Sequence, residues 1–115
     1  MTYKRGDVIL LRFPNSDLQT YKKRPALVVQ DEAIDTGLSQ KVVALITSNL
    51  ARTGITRVLV PKDNRAGKEM GILSDSMVVT DNIATVLTRE IDKVIGHCGV
   101  VISDIDTALR KTLKL

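Results

Sequence analysis

Val, Ile and Leu recur along this chain in runs of five to seven residues, each cut short by proline, glycine or a polar cluster. Runs of that length between turn signals predict the strands of a compact, mainly β barrel, not a βαβ layer. Residues 7–13 read as the first strand, stopped by Pro14 and a polar loop over residues 15–20. Residues 25–30 read as the second, with Pro25 at its first position, where a missing N–H does least harm. A loop over residues 31–40 leads to a third strand at 41–47, and 56–60 alternates polar and apolar side chains before Pro61. The polar stretch 62–70 reads as a mobile excursion, too long for a hairpin turn. Residues 76–80 are β-rich, 82–88 are expected to form one helical turn capped by the Asp81 carboxylate, and 93–99 form the last strand.

The C-terminal segment follows a different period. Ile105, Ala108, Leu109, Thr112 and Leu113 fall at the i, i+3, i+4, i+7, i+8 spacing of an amphipathic helix. Ser103 and Asp106 form an S-x-x-D start signal. Asp104 and Asp106 suit the positive end of the helix dipole, and Arg110, Lys111 and Lys114 suit the other. The fold expected is therefore α+β with β dominant: one domain over residues 1–115, without repeat or linker.

Charge is concentrated at one end. The chain has 115 residues and a net charge of +4. Residues 1–24 carry six cations (Lys4, Arg5, Arg12, Lys22, Lys23, Arg24) against Asp7 and Asp17, which accounts for the whole excess. The three aromatics, Tyr3, Phe13 and Tyr21, lie in the same segment, so the core must be aliphatic. So few rings argue against a surface on which several bases stack. No apolar run approaches the ~18 residues of a membrane span, and no signal-peptide pattern follows Met1. A cytoplasmic protein is expected, with neither a disulfide nor a cysteine-rich zinc site from the single Cys98.

The residue inventory prunes catalysis. His97 is the only histidine, which removes any His–His acid/base pair. His97 and Cys98 are neighbours in an expected strand and point to opposite faces, which disfavours a Cys–His dyad. Neither a phosphate-binding glycine loop nor a nucleophile elbow is present, and the scattered carboxylates predict no metal site and no cofactor. Two clusters remain. Lys22-Lys23-Arg24-Pro25 places three adjacent cations where they must be solvated or face an anion, and Arg24 offers a planar fork that matches phosphate oxygens. Tyr21 beside them is either a stacking ring or partial core. Ile46-Thr47-Ser48-Asn49 ends an apolar strand in uncharged hydrogen-bonding groups suited to a pentacovalent phosphorane, or is simply a polar strand end.

These segments occur in a telling order: Arg5-Gly6-Asp7 opening the first strand, Lys23-Arg24-Pro25-Ala-Leu-Val-Val, Val43-Ala-Leu-Ile-Thr47-Ser48, and Gly71 through Thr85. Together they resemble the MazF/PemK (Kid-like) toxins of bacterial toxin–antitoxin systems, from about Tyr3 to the C-terminal helix. The resemblance implies an SH3-like barrel of the CcdB/MazF type, a homodimer, and a cognate small acidic antitoxin. It also implies metal-independent cleavage of single-stranded RNA by attack of the 2′-hydroxyl, leaving a 2′,3′-cyclic phosphate and a 5′-hydroxyl. By that resemblance Arg24 and Thr47 are the catalytic pair. Asp81 matches a proposed general base, with the helix-cap reading standing beside it. Tyr21, Lys22, Lys23, Ser48 and Asn82 are expected to hold RNA. Where many members have Gln-x-Arg-Thr, this chain has Asn82-Ile83-Ala84-Thr85, and it lacks the loop histidine some members carry near Asp17. The same barrel also serves CcdB-type gyrase inhibitors and would serve a non-catalytic RNA-binding module, since fold alone does not decide function.

Overall fold

The computed structural model describes residues 2–14 and 17–115, apart from the side chains of Phe13 and Pro14. The first two positions of the expected loop at 15–20 therefore lie outside the described residues. Six strands, β1 (Asp7–Pro14), β2 (Tyr21–Val28), β3 (Gln40–Thr47), β4 (Arg57–Val60), β5 (Ser76–Leu87) and β6 (Ile91–His97), form one antiparallel sheet ordered β4-β5-β3-β2-β1-β6. Among the described residues, two α-helices, α1 (Arg65–Met70) and α2 (Ile102–Leu113), and a single 3-10 turn at Thr88–Glu90 accompany the sheet. None is long and apolar enough to cross a membrane.

Alternation along the strands fills both faces of the sheet. Val8, Leu27, Ala44, Ile46 and Val78 pack with Ile105 and Leu109 of α2 and Met70 of α1. Their neighbours Ile9, Leu11, Ala26, Val28 and Val43 build a second cluster with Tyr3 and Ile91. A one-residue slip would exchange the two sets, so the pattern pins the register. The α2 stripe behaves as its spacing predicts over Ile105, Ala108 and Leu109, which are buried; Leu113 is exposed.

Four local expectations are corrected. β2 begins at Tyr21, so Pro25 lies mid-strand instead of at its first position. The stretch 62–70 is not a mobile excursion: Asn64 caps α1 by accepting the Gly67 N–H at 2.8 Å, and Gly71 closes it at φ 71°. A Cβ on Gly71 would run into the Ile95 carbonyl, and one on Gly96 into the Met70 carbonyl, so these glycines let α1 dock directly on β6. Residues 82–88 do not form a helical turn. Ile83 to Leu87 pair with Ala44 to Gln40, extending β5 beyond a bulge. The β-branched residues there gain a full ladder against β3, which one isolated turn of helix does not offer. Finally, α2 starts at Ile102, one residue before Ser103, and its N-cap position Val101 makes no side-chain cap. Asp106 instead pairs with Arg5.

Candidate active site

Pro25 lies where the pairing of β2 with β3 ends. β2 and β3 pair only through Ala26↔Leu45, Leu27↔Ala44 and Val28↔Val43. The next step in this register brings Pro25 opposite Ile46, and the one after that Arg24 opposite Thr47. Pro25 has no N–H to extend the ladder, so pairing stops there. On its other side β2 stays anchored, with Arg24 facing Leu11 of β1. Two strand ends are thus held in register across a gap.

That gap opens into two hollows, of about 480 and 520 Å³, and Arg24, Pro25, Ile46 and Thr47 line both. The first is completed by Asn49, Arg52, Arg57 and Asn82; the second by Lys22, Lys23, Ser48, Ser76 and Lys93. Five further cations therefore surround the Arg24–Thr47 pair, and among the described residues no carboxylate lines either hollow. Among the described residues, Lys22, Arg24, Arg52, Arg57 and Lys93 have no carboxylate within ion-pair distance. Unpaired like charges crowded on one surface repel one another, and an anion that joins them relieves more of that repulsion than solvent does.

Thr47 is prepared to donate. Its Oγ1 accepts the Asn49 N–H at 3.1 Å, and the Asn49 side chain in turn accepts the Ala51 N–H at 3.0 Å. The turn fixes the hydroxyl oxygen and leaves its proton for a ligand. Lys23 differs from its neighbours. It pairs with Asp92 at 3.1 Å, and Arg12 reaches the same carboxylate at 3.2 Å. The Lys23 hydrogen bond, with the charges of Lys23 and Arg12, holds the Asp92 carboxyl below the usual carboxylate range.

The remaining expected site residues divide. Asn82 and Ser48 lie in the hollows with Arg24 and Thr47. Tyr21 lies in a third hollow, at the start of β2. Asp81 sits within β5 and caps no helix, which overturns the cap reading; its carboxylate accepts the Thr56 hydroxyl at 3.1 Å and lines neither main hollow. It belongs to a three-residue excess, Thr80 to Asn82, between the β5 residues that face Leu45 and Ala44. That bulge turns Asn82 into the opening. Arg57 and Lys93 carried no sequence signal as site residues, because single cations on alternating strands look like solvated faces. His97, exposed and 3.1 Å from Asp7, ends β6, and Cys98, expected within the last strand, lies just beyond it and is buried. Among the described residues, no three His, Cys, Asp or Glu side chains converge as a metal site.

Comparison with known proteins decides the family. Residues 4–113 match the profile of the PemK-like, MazF-like toxins of type II toxin-antitoxin systems. The chain belongs to this family. No curated protein gives a significant match. Among solved structures, an endoribonuclease in complex with its cognate antitoxin, from a mycobacterial species, is 25% identical over 98% of this chain and 96% of its own, with a TM-score of 0.74. A Mycobacterium tuberculosis MazF toxin is 23% identical, covering 95% and 97%, with a TM-score of 0.73. The MazF of a MazE–MazF complex from Deinococcus radiodurans is 19% identical, covering 100% and 98%, with a TM-score of 0.77. The six-stranded antiparallel sheet and C-terminal helix are thus the MazF-like fold expected from the sequence.

Proposed function

We propose that this MazF-family chain is a cytoplasmic, metal-independent endoribonuclease that cuts single-stranded RNA, with Arg24 and Thr47 acting on one phosphate. The observation that carries this reading is their placement in register across the unpaired β2–β3 gap, between two carboxylate-free hollows. A phosphodiester seated there has cations on both sides for its neighbouring phosphates.

The reaction follows from the groups present. The 2′-hydroxyl oxygen attacks the adjacent phosphorus while its proton passes to water, and as the bond to the 5′-oxygen breaks that oxygen takes a proton from water. The products are a 2′,3′-cyclic phosphate and a 5′-hydroxyl. Arg24 stays charged throughout, so it serves as a fork of donors to the dianionic phosphorane and to the departing 5′-oxygen. Thr47 donates its free hydroxyl proton to a non-bridging oxygen. Groups that bind the phosphorane more strongly than the phosphodiester lower the barrier. Asp81, engaged with Thr56 outside the opening, is given no proton-transfer role here.

The solved mycobacterial relative is described with a cognate antitoxin, and the same arrangement is proposed for this toxin. The partner is a small acidic protein whose charged, apolar segment covers the cationic hollows and orders as it binds. The active form is proposed to be a homodimer. Incubation of the purified chain with single-stranded RNA in EDTA, followed by analysis of product ends, tests the reading. Cyclic phosphate ends support it. Tight binding without turnover would reassign the chain as a binding module, and gyrase inhibition with intact RNA would reassign it to the CcdB type.

A further inference from the structure

A third hollow, of about 370 Å³, opens where the end of β5 meets the start of β2. Leu11, Val86 and Leu87 give it apolar walls, Tyr21 stands at its mouth, and Arg12 and Glu90 contribute the charged groups. Leu11 forms the floor and is also the residue that faces Arg24 across the β1–β2 ladder. Tyr21 precedes Arg24 by three residues on the same strand, roughly 10 Å at the strand rise. The hollow is therefore a separate opening about one to two nucleotide steps from the proposed cleavage site.

Its polar groups are already oriented. Arg12 is braced by the Arg89 carbonyl at 3.3 Å and by Asp92 at 3.2 Å, which leaves further N–H groups of its five free. Glu90 has one partner, Arg89 at 3.6 Å, and keeps most of its acceptor capacity. An exposed aromatic ring, aliphatic walls and a carboxylate beside a guanidinium suit an unstacked nucleobase read along its edge.

We propose that this hollow selects one base of the RNA substrate and that the base is guanine. The inference rests on the ribonuclease reading above and names what that site recognises. Guanine presents two adjacent donors, N1–H and the 2-amino group, which match the two oxygens of the Glu90 carboxylate. Its O6 beside them accepts from Arg12. Uracil offers a single donor flanked by carbonyls that repel the carboxylate, and adenine places an acceptor nitrogen where the carboxylate needs a donor. Tyr21 stacks on the base plane. Glu90 and Arg12 are specificity residues here, and neither touches the scissile phosphate.

Binding separates this inference from catalysis. The probes are short 2′-O-methyl oligouridylates, which resist cleavage, with and without one internal guanosine. The wild-type chain is expected to prefer the guanosine probe by about 5- to 150-fold, the range for one good two-point base contact. Glu90→Gln should erase most of that preference while still binding the all-uridine probe, whereas Tyr21→Ala should weaken both probes, because stacking tolerates any base. Equal wild-type affinity for the two probes, or a preference that survives Glu90→Gln, overturns the guanine pocket. Wild-type RNA left intact while the guanosine preference holds sinks the nuclease reading and leaves the pocket standing.

Discussion

Removing one cation at a time from the two hollows should change the salt dependence of RNA binding in fixed steps. Five cations there have no carboxylate partner among the described residues: Lys22, Arg24, Arg52, Arg57 and Lys93. If each meets a phosphate, counterion release from a single strand contributes about 0.7 per contact, so log K falls with log salt at a slope near −3.5. Between about 50 and 200 mM salt that slope weakens binding on the order of 100-fold. Arg57→Ala or Lys93→Ala should each bring the slope to about −2.8, equally for RNAs of different sequence. Lys111→Ala, on the exposed surface of α2, should leave it unchanged. Fluorescence anisotropy with a labelled 2′-O-methyl RNA over a salt series reads the slope directly. A wild-type slope shallower than about −1, or one indifferent to Arg57 and Lys93, would mean that RNA does not lie in these hollows.

Further consequences concern the scaffold. Gly71→Ala places a Cβ against the Ile95 carbonyl at a left-handed φ, and thermal melting should show a loss of at least about 1–3 kcal/mol. Thr80, fully buried, donates to the Thr56 carbonyl at 2.6 Å and lies 3.0 Å from the Thr112 hydroxyl of α2; Thr80→Val should cost about 1–3 kcal/mol by chemical denaturation. Because the folded-state acidity of Asp92 is strengthened, its contribution is complete above the unfolded carboxylate range and disappears as pH falls through the lower folded value. Acid titration of Asp92→Asn should show a flatter low-pH limb than wild type. Burial raises the Cys98 thiol to about 11, so a thiol reagent near neutral pH should label it only as fast as the protein opens.

Legibility from the sequence followed how local each signal is. β1, β3 and α2 were readable because their apolar periods are set by neighbours along the chain. The start of β2 was hidden because Tyr21-Lys22-Lys23-Arg24 carries the composition of a loop; it is a strand through pairing with β1, 7 to 13 residues earlier. The far half of β5 was hidden likewise, since only β3 makes residues 83–87 extended. α1, six residues long with a glycine inside, has too few positions to show a period. At the site, Arg24 and Thr47 were marked by their flanking proline and apolar strand. Arg57 and Lys93 acquire meaning only when the sheet brings β4 and β6 to the Arg24–Thr47 gap, and Glu90 only when the turn before β6 reaches the third hollow.

The central claim is that Arg24 and Thr47 stabilise one phosphorane. Single-turnover cleavage rates of Arg24→Ala, Thr47→Ala and the double variant, measured in EDTA on one RNA, test it most directly. Each single change should slow cleavage by about 100- to 1,000-fold, the scale for losing one transition-state donor. The double variant should lose less than the product of the two, as groups acting on the same transition state do. Cleavage at the wild-type rate in either single variant would contradict the account.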